Sequence, residues 1–459
     1  MVRQISMGEG YKYLTLSQPE WVKQIWKEGH FPFGAPFVYP SQQGWQFSFP
    51  AAFPFISAFF YTHFGLPGLY IFPVLSFLIF LVFVVYCLRA RNTDPRLIAV
   101  TIFVLVFCSP LAIYGVSFWE HISAVLLLFF GIAFISYPFK RNVPSFLFGM
   151  ASGMAVWLRP EAMIMNFLYG IGLLIMFSRT KRQSIIFFLS GLSISIAAFL
   201  LFNVAEYGSF FGIHGYQVLN QEPDMNFFAL QRANLIDTNF RSIKYFPFII
   251  LLFPAFIFAF HRQSGSKPAV KVLILISLAF CLITPLFMPN SGGRQWGARY
   301  LLPVIPAVII LIVFLLNDNP LFLQGRRKFW LVLVFMICTG YSFYRNTYKG
   351  GIKTVRWENI HRIKPVLDFI DHRGDVVVIR EGYIAMELAI DFETKIFFTA
   401  DDDMHLNSLI KKLKQQGIRT FTYVYDTNNT KVLPGIIQRA TVPGSVKGDF
   451  GYLKVEIGE

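Results

Sequence analysis

From residue 68 onward, apolar residues run in stretches of about 15 to 21, each closed by a short polar cluster. About 20 helical residues cross the hydrocarbon layer of a bilayer. The runs at 68–88, 97–114, 122–137, 144–158, 162–177, 185–204, 246–260, 270–286, 300–316 and 329–343 predict about ten transmembrane helices. Upstream, residues 1–67 are amphipathic, rich in Trp, Phe and Pro, and hold no run long enough to span. Beyond residue 351 the period changes again. Strand-like runs at 375–380, 395–399, 420–425 and 452–457 alternate with helical patterns at 359–371 and 404–416. The pattern predicts a polytopic α-helical membrane protein in three parts. A first loop (1–67) is followed by a transmembrane domain (68–345) and a small C-terminal α/β domain (351–459).

Charge orients this arrangement. Of 459 residues, 55% are hydrophobic and only 15% charged, yet the net charge is +15. The segment after 350 holds 15 Lys/Arg and 15 Asp/Glu, so the whole excess belongs to the apolar part. Basic loops between apolar runs fit anionic lipid; nucleic-acid binding would place the excess on a soluble face. One set of alternate connections holds 14 Lys/Arg and the other only 6. The richer set is expected in the cytoplasm. The first loop, the poorer set and the tail then face outward. An outward stretch that long needs a helix to export it, so an upstream spanning helix is expected before residue 1. The four cysteines, Cys87, Cys108, Cys281 and Cys338, lie in apolar runs without metal or disulfide spacing.

The candidate chemistry gathers at the outer helix mouths. Glu9 stands between glycines in MGEGYKYL, where the backbone can approach a ligand closely; a solvated loop glutamate is the plain alternative. Glu120 and His121 immediately precede an apolar run, where ionisable groups are costly unless paired or set in a cavity. An acid there also caps a helix favourably. Arg159 and Glu161 bracket Pro160 in a turn too short to leave the apolar boundary, so they pair with each other or orient a substrate. GGRQWGARYLLPVIP carries Arg294, Trp296, Arg299 and Tyr300 at the start of another run. An arginine fork there matches phosphate oxygens, and a snorkelling arginine in an aromatic belt is the alternative. The long outer loop adds Tyr207, His214 and Tyr216, suited to stacking on a sugar or to an interfacial belt. His30, His121 and His214 face outward without metal-ligand spacing, so no cofactor is assigned and a divalent metal is left open. No Walker loop and no nucleophile elbow occur.

Together these residues resemble the polyprenyl-phosphate-sugar-dependent glycosyltransferases of the GT-C class, of the protein O-mannosyltransferase and aminoarabinose transferase types. The resemblance rests on Glu9 in the first outer loop, FPAAFPFISAFFYTHFGLPGLY at 49–70, Glu120 at a second helix mouth, RPEA at 159–162 and WGARYLLPVIP at 296–306. The order of these features agrees over about 7–343. The first-loop acid is Glu where many members carry Asp, and no WWDYG-type oligosaccharyltransferase signature occurs. The resemblance implies inverting transfer of one sugar from a polyprenyl-phosphate carrier to an outer glycan, lipid or protein acceptor. Glu9 is then expected as general base and Arg299, helped by Arg294, as stabiliser of the departing phosphate. Glu120 shares the catalytic role, as an orienting or tuning acid. A lipid-linked glycan polymerase could use the same residues. A flippase would need polar groups and broken helices at mid-membrane, whereas the ionisable groups here cluster at the mouths. A non-enzymatic scaffold is the remaining alternative.

Overall fold

The computed structural model describes residues 1–14, 18–34, 38–41, 44–137, 141–176, 182–212, 227–261, 267–288, 296–318, 325–373, 376–388, 394–427 and 450–457. Among these, the chain opens with α1 (Val2–Ser6) and α2 (Glu20–Ile25), which continues as a wider turn over Trp26–His30. A hairpin of β1 (Val38–Ser41) and β2 (Gly44–Phe47) follows. Then come α3 (Ala52–Phe64), α4 (Gly68–Ala90), α5 (Pro95–Phe107), α6 (Leu111–Gly115), α7 (His121–Ser136), α8 (Asn142–Leu158), α9 (Ala162–Ile175) and α10 (Arg182–Tyr207). After them lie α11 (Phe227–Tyr245), α12 (Leu252–Phe260), α13 (Pro268–Phe287), α14 (Val304–Asp318) and α15 (Gly325–Phe343). A π-type helix, Tyr344–Ile363, leads to α16 (Lys364–Arg373), β3 (Val376–Ile379), α17 (Gly382–Glu387), β4 (Ile396–Thr399), α18 (Asp403–Gln415), β5 (Thr420–Asp426) and β6 (Phe450–Glu456).

The chain forms two compact units: a helical one, 2–8 with 49–351, and an α/β one, 9–48 with 352–459. In the helical unit α4, α10 and α13 are each long and apolar enough to cross a membrane. Five further apolar helices are shorter. The protein is an integral membrane protein on this evidence of length and composition.

Three of the predicted spans are interrupted, each at a proline. The run 97–114 ends as α5 at Phe107 and resumes as α6 after Pro110. Proline supplies no amide hydrogen and pushes the residue before it out of the helical region. The run 246–260 starts as a 3-10 turn, Pro247–Leu251, because Phe246 before Pro247, at φ −146° and ψ 73°, lies outside the helical region. Phe228–Tyr245 and Pro247–Phe260 consequently meet at a bend of 106°. The run 300–316 opens as the 3-10 turn Arg299–Leu301, with α14 starting only after Pro303.

Small residues let the helices approach closely. A Cβ at Gly149 would lie 1.9 Å from the Phe188 carbonyl oxygen, and one at Gly191 would lie 2.2 Å from that of Phe146. This clasps α8 to α10 as small-residue stripes do in membrane helices. Ser152 donates to Asn166 Oδ1 at 2.7 Å, and Asn166 Nδ2 donates back to the Ser152 carbonyl at 3.0 Å. That closed pair fixes the α8–α9 hairpin. Tyr169 lies over Gly131 and donates to the Leu128 carbonyl at 3.0 Å, setting α9 on α7.

In the α/β unit the strand order is β4-β3-β5-β6. β3 is parallel to β4 and β5, while β6 is antiparallel to β5. All four residues of β3 are buried, as expected of a parallel strand covered on both faces. Leu406, Leu409 and Leu413 form the inward stripe of α18, whose first turn is capped by Asp402 accepting from His405 N at 2.7 Å. Residues from the first loop complete this core. Val22, Ile25 and Trp26 are buried in it, and Trp26 Nε1 donates to the Phe397 carbonyl at 2.8 Å.

Candidate active site

At one end of the helical unit, three chain turns bring ionisable side chains together. The α6–α7 turn carries Glu120 and His121. Glu120 is the N-cap residue of α7, where a carboxylate meets the positive end of the helix. The α8–α9 turn carries Arg159 and Glu161. Arg159 is extended because Pro160 follows it, which ends α8 and turns its side chain out of the helix. The third turn is Arg299–Leu301.

Arg159 is the hub. Its Nη1 donates to Glu120 Oε1 at 3.2 Å and lies 2.9 and 2.5 Å from the two ring nitrogens of His121. Its Nη2 donates to Glu161. The His121 ring lies against this guanidinium. The ring is also clamped. Tyr114 stacks on it at 4.8 Å, and Trp119 meets it edge-on at 5.6 Å. Glu120 lies just outside the apolar run. Burial opposes its charge, but the neighbouring His121 and Arg159 outweigh burial and hold the carboxyl below its ordinary range.

Arg299 is placed differently. Its Nη2 donates to the Tyr300 hydroxyl at 2.7 Å, and its guanidinium lies 4.7 Å from the centre of that ring. Its Nε is buried without a hydrogen-bond partner among the described residues. Arg159 approaches the same ring at 5.6 Å. His121, Arg159, Glu161, Arg299 and Tyr300 line a small cavity of about 20 Å³, with Leu128 and Phe280 on its apolar side. That is room for about one water molecule.

The remaining predicted residues are placed as follows. Trp296 does not line the cavity. Its carbonyl accepts from the Tyr114 hydroxyl at 2.8 Å, and its Nε1 donates to Asn346 Oδ1 at 3.2 Å. It is a strut between α6 and the chain after α15. Gly297 beside it has φ +75° and packs on Pro110 and Tyr245, a conformation that favours glycine. Tyr207, at the end of α10, lies against Phe202 at 6.4 Å and is outside the cavity. Glu9 stands exposed in a bend after α1 and belongs to the α/β unit. Arg294 and His214 lie outside the described residues. Sequence reasoning missed Tyr114, Tyr245, Asn346 and Arg345. The guanidinium of Arg345 lies 4.8 Å from the Tyr245 ring and 5.9 Å from Trp296. Only a charge at the end of an apolar run marked Arg345; nothing local marked the others.

Between Glu120 and Glu161 the centre is held by the Arg159 guanidinium. Among the described residues, a grouping with metal-ligand distances occurs instead at Asp401, Asp402 and His405 of the α/β unit, and it is solvent-accessible.

No protein-family model matches the chain, and no curated protein matches it. Two solved structures are similar over nearly all of it. ArnT from Cupriavidus metallidurans in the apo state has a TM-score of 0.50 at 12% identity, covering 99% of this chain and 95% of that one. ArnT from the same organism bound to undecaprenyl phosphate has a TM-score of 0.49 at 11% identity, covering 99% and 96%. At such identity the likeness to the apo structure is one of fold, the GT-C fold that the sequence resemblance implies.

Proposed function

We propose that this protein is a membrane glycosyltransferase that moves a monosaccharide from a polyprenyl-phosphate carrier to an acceptor on the extracytoplasmic side, with inversion. The observation that carries the reading is the pairing state of the two arginines. Arg159 is neutralised by Glu120 and Glu161, whereas Arg299 has no carboxylate partner among the described residues and keeps a buried, unpartnered Nε. A cation left uncompensated at an apolar boundary suits an anion supplied by a lipid.

In this reading the sugar's anomeric carbon is attacked by the acceptor oxygen as the acceptor hydroxyl loses its proton. The bond from that carbon to the phosphate oxygen breaks, and the lipid phosphate leaves with one more negative charge. Arg299, helped by Arg294, meets that charge as it develops, when fixed donors help most. Glu9 takes the acceptor proton, an assistance of roughly 10²–10⁴ in rate. Glu120 is held ionised by Arg159 and positions the reacting groups with His121. Glu161 and Tyr300 set the two arginines, and Tyr207 and His214 contact the sugar or acceptor. The test is consumption of polyprenyl-phosphate sugars by the purified chain. Glu9→Gln is expected to remove transfer and keep the fold. Full activity in that variant removes Glu9 from the mechanism.

A further inference from the structure

The α/β unit holds a second concavity, whose lining shares no residue with the cavity at Arg159 and Arg299. It is a groove of about 830 Å³ between α2, with its continuation, and α18. That volume falls in the range of ligand sites, roughly 300–1,000 Å³. Trp21 forms part of one wall. Its indole rests on Phe398 at 6.2 Å, and its N–H makes no hydrogen bond among the described residues. The opposite wall offers Asn407, Gln415 and Gln416, all exposed, whose carboxamides are likewise without hydrogen bonds among the described residues. Each carboxamide presents two donors and an acceptor.

The charges of the groove cancel. Glu28 and Lys412 pair at 2.5 Å and tie the two walls together. Asp403 and Lys411 balance each other in sign. A strongly charged ligand therefore gains no net attraction, and an apolar one would leave the carboxamides unsatisfied. An aromatic face beside unengaged amides matches a molecule with an apolar ring face and a rim of hydroxyls. We propose that this groove binds a neutral saccharide, with Trp21 as the stacking face and Asn407, Gln415 and Gln416 bonding the hydroxyls.

Saturation-transfer NMR on the full chain in phospholipid nanodiscs tests this, with no glycoside detergent present to compete. The probes are cellohexaose, maltohexaose and mannohexaose, with hexagalacturonate as the charged control. At least one neutral hexasaccharide is expected to receive saturation, and hexagalacturonate none. Trp21→Ala is expected to weaken the binding about tenfold or more, in line with the weight of tryptophan in binding sites. Asn407→Ala removes an exposed side chain and tests the groove without touching the core. Glu120→Gln separates the two proposals, because it is expected to impair transfer and leave this binding intact. Saturation of no neutral probe, saturation of hexagalacturonate alone, or binding unchanged by Asn407→Ala and by folded Trp21→Ala overturns the proposal.

Discussion

Arg159 satisfies two carboxylates and an imidazole at once, with only 12% of its side chain exposed. Removing one partner of a buried ion pair costs roughly 3–5 kcal/mol, and partial water access here reduces that to about 2 kcal/mol. Arg159→Ala is therefore expected to lower the thermal midpoint in lipid, and Arg159→Ala with Glu161→Gln to recover part of the loss. Equal midpoints for the single and double variants would show that Glu161 does not depend on this pairing. A second residue sets a pH response. His30 is buried and its Nδ1 lies 3.1 Å from the Thr399 carbonyl; burial lowers its pKa, the Thr399 carbonyl and Glu28 oppose that effect, and Lys412 and His405 add to it. The unfolded chain then binds the proton more readily. This stability is complete above about pH 6.5 and declines as pH falls through the lowered folded value. Melting curves from pH 7.5 to 5 are expected to show the decline, and His30→Gln to flatten it. Acids and arginines at apolar boundaries made Glu120, Arg159 and Glu161 legible from sequence. Tyr114 and Asn346 were not, because their roles depend on partners far along the chain.

At the scale of elements, apolar run length placed the helices, and the prolines placed their interruptions. Hydropathy alone makes 97–114 and 246–260 continuous, since it averages over Pro110 and Pro247 while the backbone does not. Run length also gives no signal for α3, whose 13 residues fall short of a span. The contact between α8 and α10 gives a sharp test. Gly191→Ala would press a methyl group into the backbone of α8 and is expected to cost about 1–3 kcal/mol. Gly170→Ala meets only the far end of Leu189, at 4.0 Å, and is expected to cost nothing measurable. Thermal unfolding of the two variants side by side checks this, and equal midpoints would mean that the close approach is not holding the helices.

At the scale of the molecule, the α/β unit is discontinuous, drawing 9–48 and 352–459 into one core. The tail's strands were legible from local alternation. The joining of the first loop to them was not, because no local pattern records that Trp26 donates to the Phe397 carbonyl. Uneven placement of basic loops carries the expected orientation. It can be tested with introduced cysteines, since the four native ones are buried. Asn407→Cys is expected to react with an impermeant maleimide from outside intact cells, and Arg96→Cys only after permeabilisation. The reverse pattern would invert the topology.

In the proposed reaction Arg299 receives the phosphate of a lipid-linked sugar. The most direct measurement is release of free polyprenyl phosphate from a panel of polyprenyl-phosphate sugars, comparing the native chain with Arg299→Ala and Arg299→Lys. Release by the native chain from at least one donor is expected. A fall of about 10²-fold or more is expected in Arg299→Ala, as for loss of one transition-state donor, with partial retention in Arg299→Lys. Release from no donor, or equal release by the native chain and Arg299→Ala, would contradict this role of Arg299.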